Sequence, residues 1–427
     1  MRLLLATLIS LALLTPETAA QTAPAPPLLL TGGRVLDPSG EKLLDGRDVL
    51  IANGKIEKIE PAGSIQAPPE AVRIDLAGAT LIPGLIDLHS HLLLHPYNET
   101  PWDDQVLKES LELRTIRGVL AARATLEAGF TTVRDLGTEG AGFADVALRD
   151  AVAARMIPGP RIFTATRALV ATGSYGPMGF DPRWDMPKGA QVVDGPEAVR
   201  KAAREQIAAG ADWIKVYADY RRRPGAPSTP TFSQEEIEAA VREAKSAGLE
   251  VSAHANTAEG IRRAVLAGVA TIEHGSGATD ELLALMRQRN VALVPTLAAS
   301  EAISRYAGWK PGEPEPPRVR EAHEMFARAL KSGVTIANGS DVGVFAHGEN
   351  AREIELMVAY GMTPAQALRA ATATAAAVLR REKDLGRVAP GYVADLMLVR
   401  GDPLVDVSVL LKPVLVIKEG WVAVDRR

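Results

Sequence analysis

Five apolar, β-branched runs in this chain each stop at a residue that binds a metal or can be made to bind one. They are Leu85-Ile86-Asp87-Leu88-His89-Ser90-His91, Trp213-Ile214-Lys215-Val216-Tyr217, Val251-Ser252-Ala253-His254, Thr271-Ile272-Glu273-His274 and Ile336-Ala337-Asn338-Gly339-Ser340-Asp341. A strand has this form when its apolar body is buried and its last residue faces a shared polar site. One imidazole or carboxylate at one strand end needs no explanation. Five need a common cause, and a metal centre supplies it.

Between these runs the chain alternates strand with helix. Strands are expected to end near His89, Asp135, Thr166, Tyr217, His254, His274, Thr296 and Asp341. Helical patterns at 111–128, 197–209, 233–247, 258–267, 280–289 and 318–331 fill most of the gaps, and several close on an Ala-Gly or Ser-Gly pair suited to a C-cap. The pattern predicts an α/β fold, a (β/α)8 TIM barrel over residues 84–385, with its site at the C-terminal ends of the strands. The two ends of the chain read differently. Residues 28–79 are short strands with tight turns, and Asn53-Gly54 between two apolar strands predicts a hairpin. The far C-terminus resumes that texture, so residues 28–83 and 386–427 are expected to form one small β-sandwich domain. Long loops at 167–195 and around 309–317 are expected to shape a substrate pocket.

With 427 residues and 47% apolar content, the chain can bury one large core and a smaller module. Its net charge of −4, with both signs interspersed, leaves no footprint for nucleic acid. The absence of cysteine removes disulfides and thiolate sites, so any metal must be held by nitrogen and oxygen. Arg2, the apolar run at 3–14 and Thr18-Ala19-Ala20 predict a secretory signal peptide over residues 1–20, with a membrane anchor as the competing reading. Export to the periplasm or the medium is expected, with no membrane association after cleavage.

His89-x-His91 puts two imidazoles on one side of an extended chain, within reach of one cation. Such a pair alone is more often a surface feature, but the buried strand before it reverses that. Lys215 cannot bind a metal as an ammonium. Carboxylated by carbon dioxide it becomes an anionic carbamate able to bridge two cations. The competing reading, a lysine paired with a carboxylate, leaves a cation among histidines without an anionic bridge. His254 and His274 supply imidazoles for a second cation. Asp341 is the expected acid–base residue, against a competing role as a helix cap. Tyr217, two residues past Lys215, points the same way and is placed to steady an oxyanion or hold a substrate carboxylate. Arg221 opens a basic run that is either a solvated face or a carboxylate clamp. His347, in the loop after Asp341, either touches substrate or stabilises its loop. His95 and His323 read as structural or exposed.

Three longer motifs carry a resemblance over nearly the whole mature chain: the run from Leu81 to His91, Gly361-Met362-Thr363-Pro364-Ala365-Gln366-Ala367-Leu368 with the Ala-Thr run after it, and the run from Gly386 to Leu396. Together with the ligand set they resemble the amidohydrolase superfamily, in its binuclear branch with a carboxylated lysine. The resemblance implies that His89, His91, Lys215 and Asp341 hold the buried ion, and that Lys215, His254 and His274 hold the other. It implies two divalent ions, zinc by expectation although manganese and cobalt suit the same donors. Within the superfamily the chain resembles exported Xaa-Pro dipeptidases, imidazolonepropionase-like proteins and the amidohydrolases that cleave ochratoxin A. The implied reaction is release of a C-terminal amino acid from a dipeptide or N-acyl amino acid, ochratoxin A to ochratoxin α and phenylalanine among them. A metal-bridging hydroxide attacks, and Asp341 serves as general base and then acid. The alternatives are a cyclic amidase or lactonase on the same centre and, from another class, a non-catalytic binding barrel. Relatives form ring-like assemblies, so a homo-oligomer is expected. Two departures from the pattern stand out. Gly-Ser-Asp341 replaces Gly-Thr-Asp, a conservative change. Thr172-Gly173-Ser174-Tyr175-Gly176 replaces Gly-Gly-His-Gly, which makes Tyr175 a substrate-binding candidate.

Overall fold

The computed structural model describes residues 25–181 and 183–427; the expected leader at 1–20 lies outside them. Seven parallel strands form the centre: β1 Leu85–Ser90, β2 Phe130–Asp135, β3 Arg161–Thr164, β4 Trp213–Tyr217, β5 Glu250–Ala255, β6 Thr271–His274 and β7 Ala292–Val294. Pairing runs β1-β2-β3 in one sheet and β4-β5-β6-β7 in another. Asp212 N donates to Thr164 O at 2.8 Å beside the two sheets, and β7 binds the segment after it through Leu293 N to Thr335 O (2.8 Å) and Ala337 N to Leu293 O (3.0 Å). Past residue 335 the chain returns to β1, where Leu88 N donates to Asn338 O (3.0 Å) and Asp341 N to His89 O (2.7 Å). This is a TIM-barrel-type α/β fold. The expected eighth strand exists only as isolated bridges, Leu293 to Ile336 and Ser90 to Val342. Gly339 accounts for the close return, because a Cβ there would lie 2.3 Å from Val294 and 3.0 Å from the Cβ of His89.

The helices fall close to their expected spans, as Leu111–Glu127, Pro196–Ala208, Gln234–Ser246, Ala258–Ala267, Asp280–Gln288 and Pro317–Ser332. Local chemistry fixes their ends. Ser233 and Glu236 form a reciprocal capping box, Thr257 and Thr279 accept from the first turn, and Gly268 and Gly333 close their helices in the left-handed conformation. Six helices lie outside those spans among the described residues: Trp102–Lys108, Ala144–Ala153, Leu297–Tyr306, Arg352–Ala359, Pro364–Ala370 and Ala373–Val378. Apolar residues of the strands and helices, among them Ile214, Val216, Ile237, Ile261 and Ile272, merge into one large core. The opposite faces of the same strands point into the barrel. Trp213 belongs to a separate inner cluster with Leu88 and Leu136.

The chain ends meet in one hydrogen-bonded set of eight strands, in which Leu28–Leu36 pairs with Val72–Asp75 along its first half and with Thr80–Pro83 along its second. Thr80–Pro83 pairs with both Leu28–Leu36 and Leu396–Val399, which ties the N-terminal and C-terminal strands together. Asn53 and Gly54 both carry positive φ (51° and 74°), as a tight hairpin turn requires. Among the described residues no helix is long and apolar enough to cross a membrane.

Candidate metal centre

Alternation along each strand brings the ligand candidates together. Lys215 and Tyr217 share the inner face of β4, His254 is the last residue but one of β5, and His274 ends β6. Tyr217, His254 and His274 line a cavity of about 820 Å³ at the C-terminal ends of the strands, together with His89, His91 and Asp341, and Lys215 lies buried outside its lining. His89, His274 and Asp341 offer ligand atoms that all lie within 4.8 Å of one another. His91 Nε2 is 3.3 Å from Asp341 Oδ1 and His89 Nε2 is 3.5 Å from it. Neighbouring imidazole centroids are 5.3 Å (His89–His91), 5.0 Å (His89–His274) and 4.6 Å (His254–His274) apart.

Each imidazole is tethered through one nitrogen. His89 Nδ1 meets Glu273 Oε2 at 2.8 Å, His91 Nδ1 donates to Gly137 O at 3.0 Å, and His274 Nδ1 meets Thr296 Oγ1 at 2.6 Å. These three keep Nε2 for the cavity. His254 is reversed: its Nε2 lies 3.2 Å from Asn256 Nδ2 and 3.9 Å from Asp219 Oδ1, which leaves Nδ1. Tethering one nitrogen to fix the ring and the tautomer of the other is how metal-binding histidines are held. Lys215 is 1% exposed; its Nζ faces the Tyr217 ring, 5.5 Å from the centroid, and has no hydrogen-bond partner. A buried ammonium left bare is costly. Burial accordingly drives its pKa down, to about 8, and burial does the same to His89 (about 4) and His274 (about 3). His91 goes the other way, up to about 9, because the Asp341 and Glu139 carboxylates outweigh its burial. Asp341 is held far below the usual carboxylate range by His89, His91 and His274.

The backbone is strained where these groups emerge. His274 (φ 68°), Thr296 (52°), Asp341 (61°), Thr166 (56°) and Glu139 (51°) are all non-glycine residues in the left-handed region. Such conformations persist where the surroundings over-determine them, and they gather at functional sites. Asp87 helps to hold Asp341 in place. It accepts from Ser340 N (3.0 Å), Ser340 Oγ (2.5 Å) and Asn350 Nδ2 (2.8 Å), so the serine of Gly-Ser-Asp has a structural task.

Beneath the cavity lies a charged layer that sequence reasoning did not find. Glu273, wholly buried, accepts from Arg134 Nη2 (2.9 Å) and Ser252 Oγ (2.7 Å) as well as holding His89. The guanidinium of Arg134 stacks 4.4 Å above the Trp213 ring and donates to Leu88 O at 2.7 Å. Both residues sit mid-strand, and the signal was a charge inside a β-branched run.

The substrate-binding candidates separate. Tyr217, Tyr175 and Arg221 all line the cavity. Tyr217 stacks on His254 at 4.6 Å and 19°, and Tyr175 packs on Tyr217 at 4.4 Å. His347 does not line it: Nε2 meets Leu94 O at 3.0 Å and Nδ1 lies 3.5 Å from Thr125 Oγ1. Of its two readings, the loop-stabilising one fits these contacts. His95 is buried between Glu99 and Glu109, and His323 stacks on Tyr360 at 4.0 Å, both in structural settings.

Comparison with known proteins points the same way. Residues 80–422 match the family described as the amidohydrolase family. Ochratoxinase from Aspergillus niger is 30% identical over 427 residues, covering 93% of this chain and 86% of that one. Imidazolonepropionase from Salinispora tropica is 27% identical over 375 residues, covering 82% and 85%. A crystal structure of a Xaa-Pro dipeptidase with bound methionine in its active site superposes with a TM-score of 0.83 at 33% identity, over 93% of this chain and 99% of that one.

Proposed function

From the premise that this chain belongs to the amidohydrolase family and is a hydrolase acting on C–N bonds, we propose that it releases the C-terminal amino acid from dipeptides or N-acyl amino acids at a binuclear centre. The observation that carries the reading is the bare, buried Nζ of Lys215, set among four imidazoles that each keep one nitrogen unspent. A carbamate on that nitrogen would replace a cation that no hydrogen bond satisfies with a bridging anion. His89, His91, Lys215 and Asp341 would then hold one ion and Lys215, His254 and His274 the other, zinc being the expected metal. Ions so held lower the pKa of a water and polarise a carbonyl.

The protein groups supply the rest. Asp341, its carboxylate kept ionised by three histidines, orients the nucleophile, takes its proton and returns it to the departing nitrogen. Tyr217 stays protonated, since burial raises its pKa well above the ordinary value, so its O–H can donate to a developing oxyanion. The wall of Trp102, Tyr175, Tyr217 and Tyr220 suits an apolar or aromatic side chain, and Arg221 at the exposed rim suits a carboxylate. A phenylalanine leaving group, as in ochratoxin A, has both features. The leader pattern at residues 1–20 supports export, and the exposed stripe of Leu113, Ile116 and Leu120 supports self-association.

The test is a screen of dipeptides, N-acyl amino acids and ochratoxin A against the zinc-loaded protein, with Asp341→Asn in parallel. Turnover of at least one class is expected, lost by about 10³-fold in the variant with its metal retained. Near-wild-type turnover by fully metallated Asp341→Asn sinks the assignment.

A further inference from the structure

Glu139 has no part in the ligand set, yet the fold goes to some length to aim it at the cavity. It follows Asp135 at the end of β2 in Leu136-Gly137-Thr138-Glu139-Gly140, with φ of 51° at the glutamate and positive φ at both flanking glycines. Its backbone is pinned from behind. Arg114, buried, donates to the carbonyl oxygens of Leu93 (3.0 and 2.8 Å), Thr138 (3.2 Å) and Glu139 itself. Arg114 thus spends its guanidinium on carbonyls and leaves the carboxylate alone.

That carboxylate lines the cavity although the residue is only 2% exposed. One oxygen accepts from Trp102 Nε1 at 2.9 Å and from the Tyr175 hydroxyl. The other lies 3.9 Å from His91 Nδ1, which is already committed to Gly137 O. Among the described residues no lysine or arginine lies within 4 Å of either oxygen. Its nearest cationic group, the His91 imidazole, turns its Nδ1 hydrogen to Gly137 O, and a buried carboxylate so thinly compensated is expensive. It is retained where the partner arrives with the ligand.

Resting on the amide-hydrolase reading above, we propose that Glu139 is a specificity-determining residue that binds the free α-ammonium group of a dipeptide substrate. The placement suits that chemistry. In a dipeptide the ammonium is two bonds from the scissile carbonyl carbon, so its acceptor must sit beside the centre that holds the carbonyl, as Glu139 does beside His91. The opposite charge falls to the rim, where Arg221 and Arg318 line the same cavity, accompanied by Asp103 and Glu321. A dipeptide zwitterion therefore meets an inner anion and an outer cation. An N-acyl amino acid brings a neutral group to the inner anion and leaves it unpaired. Between the two substrate classes open above, the geometry favours dipeptides.

The experiment uses the full zinc-loaded protein and two substrates of nearly equal shape, glycyl-L-phenylalanine and N-propionyl-L-phenylalanine, which differ in an ammonium against a methyl. The wild type is expected to favour the dipeptide by about 100-fold in kcat/KM. Glu139→Gln, which keeps an oxygen for Trp102 and Tyr175, is expected to lose about 100-fold on the dipeptide, mostly through KM, and nothing on the propionyl compound. Glu139→Asp is expected to retain the preference in reduced form. Cleavage of both compounds by the wild type without preference overturns the inference and leaves the amide-hydrolase reading standing. So does an equal loss on both in Glu139→Gln with its metal content unchanged. Cleavage of neither by the fully metallated wild type overturns both. The wild-type ratio alone decides the matter if the variants do not fold.

Discussion

The terminal sheet and the barrel mouth both bury polar side chains, and they do so by opposite rules. In the sheet the core is aliphatic, built from residues such as Leu30, Val49, Ile51, Leu396 and Ile417. Asp48, 3% exposed, is spent on backbone amides, accepting from Gly32 N at 3.0 Å and Gly63 N at 2.8 Å. At the mouth the buried groups are charged or titratable, and each imidazole has one partner and one nitrogen to spare. A polar atom fully engaged by the fold holds the fold. One engaged on a single side is held for something else, and Lys215 is the extreme case.

Mutations at the two regions should therefore separate activity from stability. Lys215→Ala has the largest expected effect, a loss of about 10⁴-fold in kcat/KM or more, measured with metal and bicarbonate in excess, with the thermal transition barely lowered. Next is Glu273→Ala, which strands Arg134 wholly buried and takes away the support of His89. Denaturant unfolding should register a loss of about 3–5 kcal/mol, and metal affinity should fall as well. Thr296→Val replaces no candidate ligand but removes the hydrogen-bond partner of His274 Nδ1. A loss of about 10- to 100-fold in affinity for one ion, read by competitive chelation, is expected with unfolding little changed. Ile51→Val in the sheet is the smallest, about 0.5–1.5 kcal/mol of stability with kcat/KM unaltered. A drop in turnover there would mean that the two regions are coupled.

Much of the mouth was legible because its candidate ligands lie at the ends of apolar strands, where periodicity ends and a polar residue stands out. The same reasoning read the helices well, since caps such as Ser233 and Gly268 are local chemistry. It failed where tertiary contacts decide. Arg134 and Glu273 interrupt strands on their inner face, and only the placing of β2 and β6 about one interior turns that interruption into a buried ion pair at 2.9 Å. Glu139 lies in a loop with no periodicity; its flanking glycines were the sole cue. The segment ending at Asp341 reads as a strand by composition, yet Asp87 and the left-handed turn at Asp341 pull it off the ladder into single bridges. The competing roles of His347 could be separated only by seeing Leu94 O beside it.

We propose that this mouth holds two cations bridged by a carboxylated Lys215. Metal content per chain tests it most directly, measured by elemental analysis after reconstitution with excess zinc and bicarbonate and removal of unbound ions. The account predicts two ions per chain in the wild type and no more than one in Lys215→Ala. A wild type that saturates at one ion, or a Lys215→Ala protein that still holds two, would contradict it.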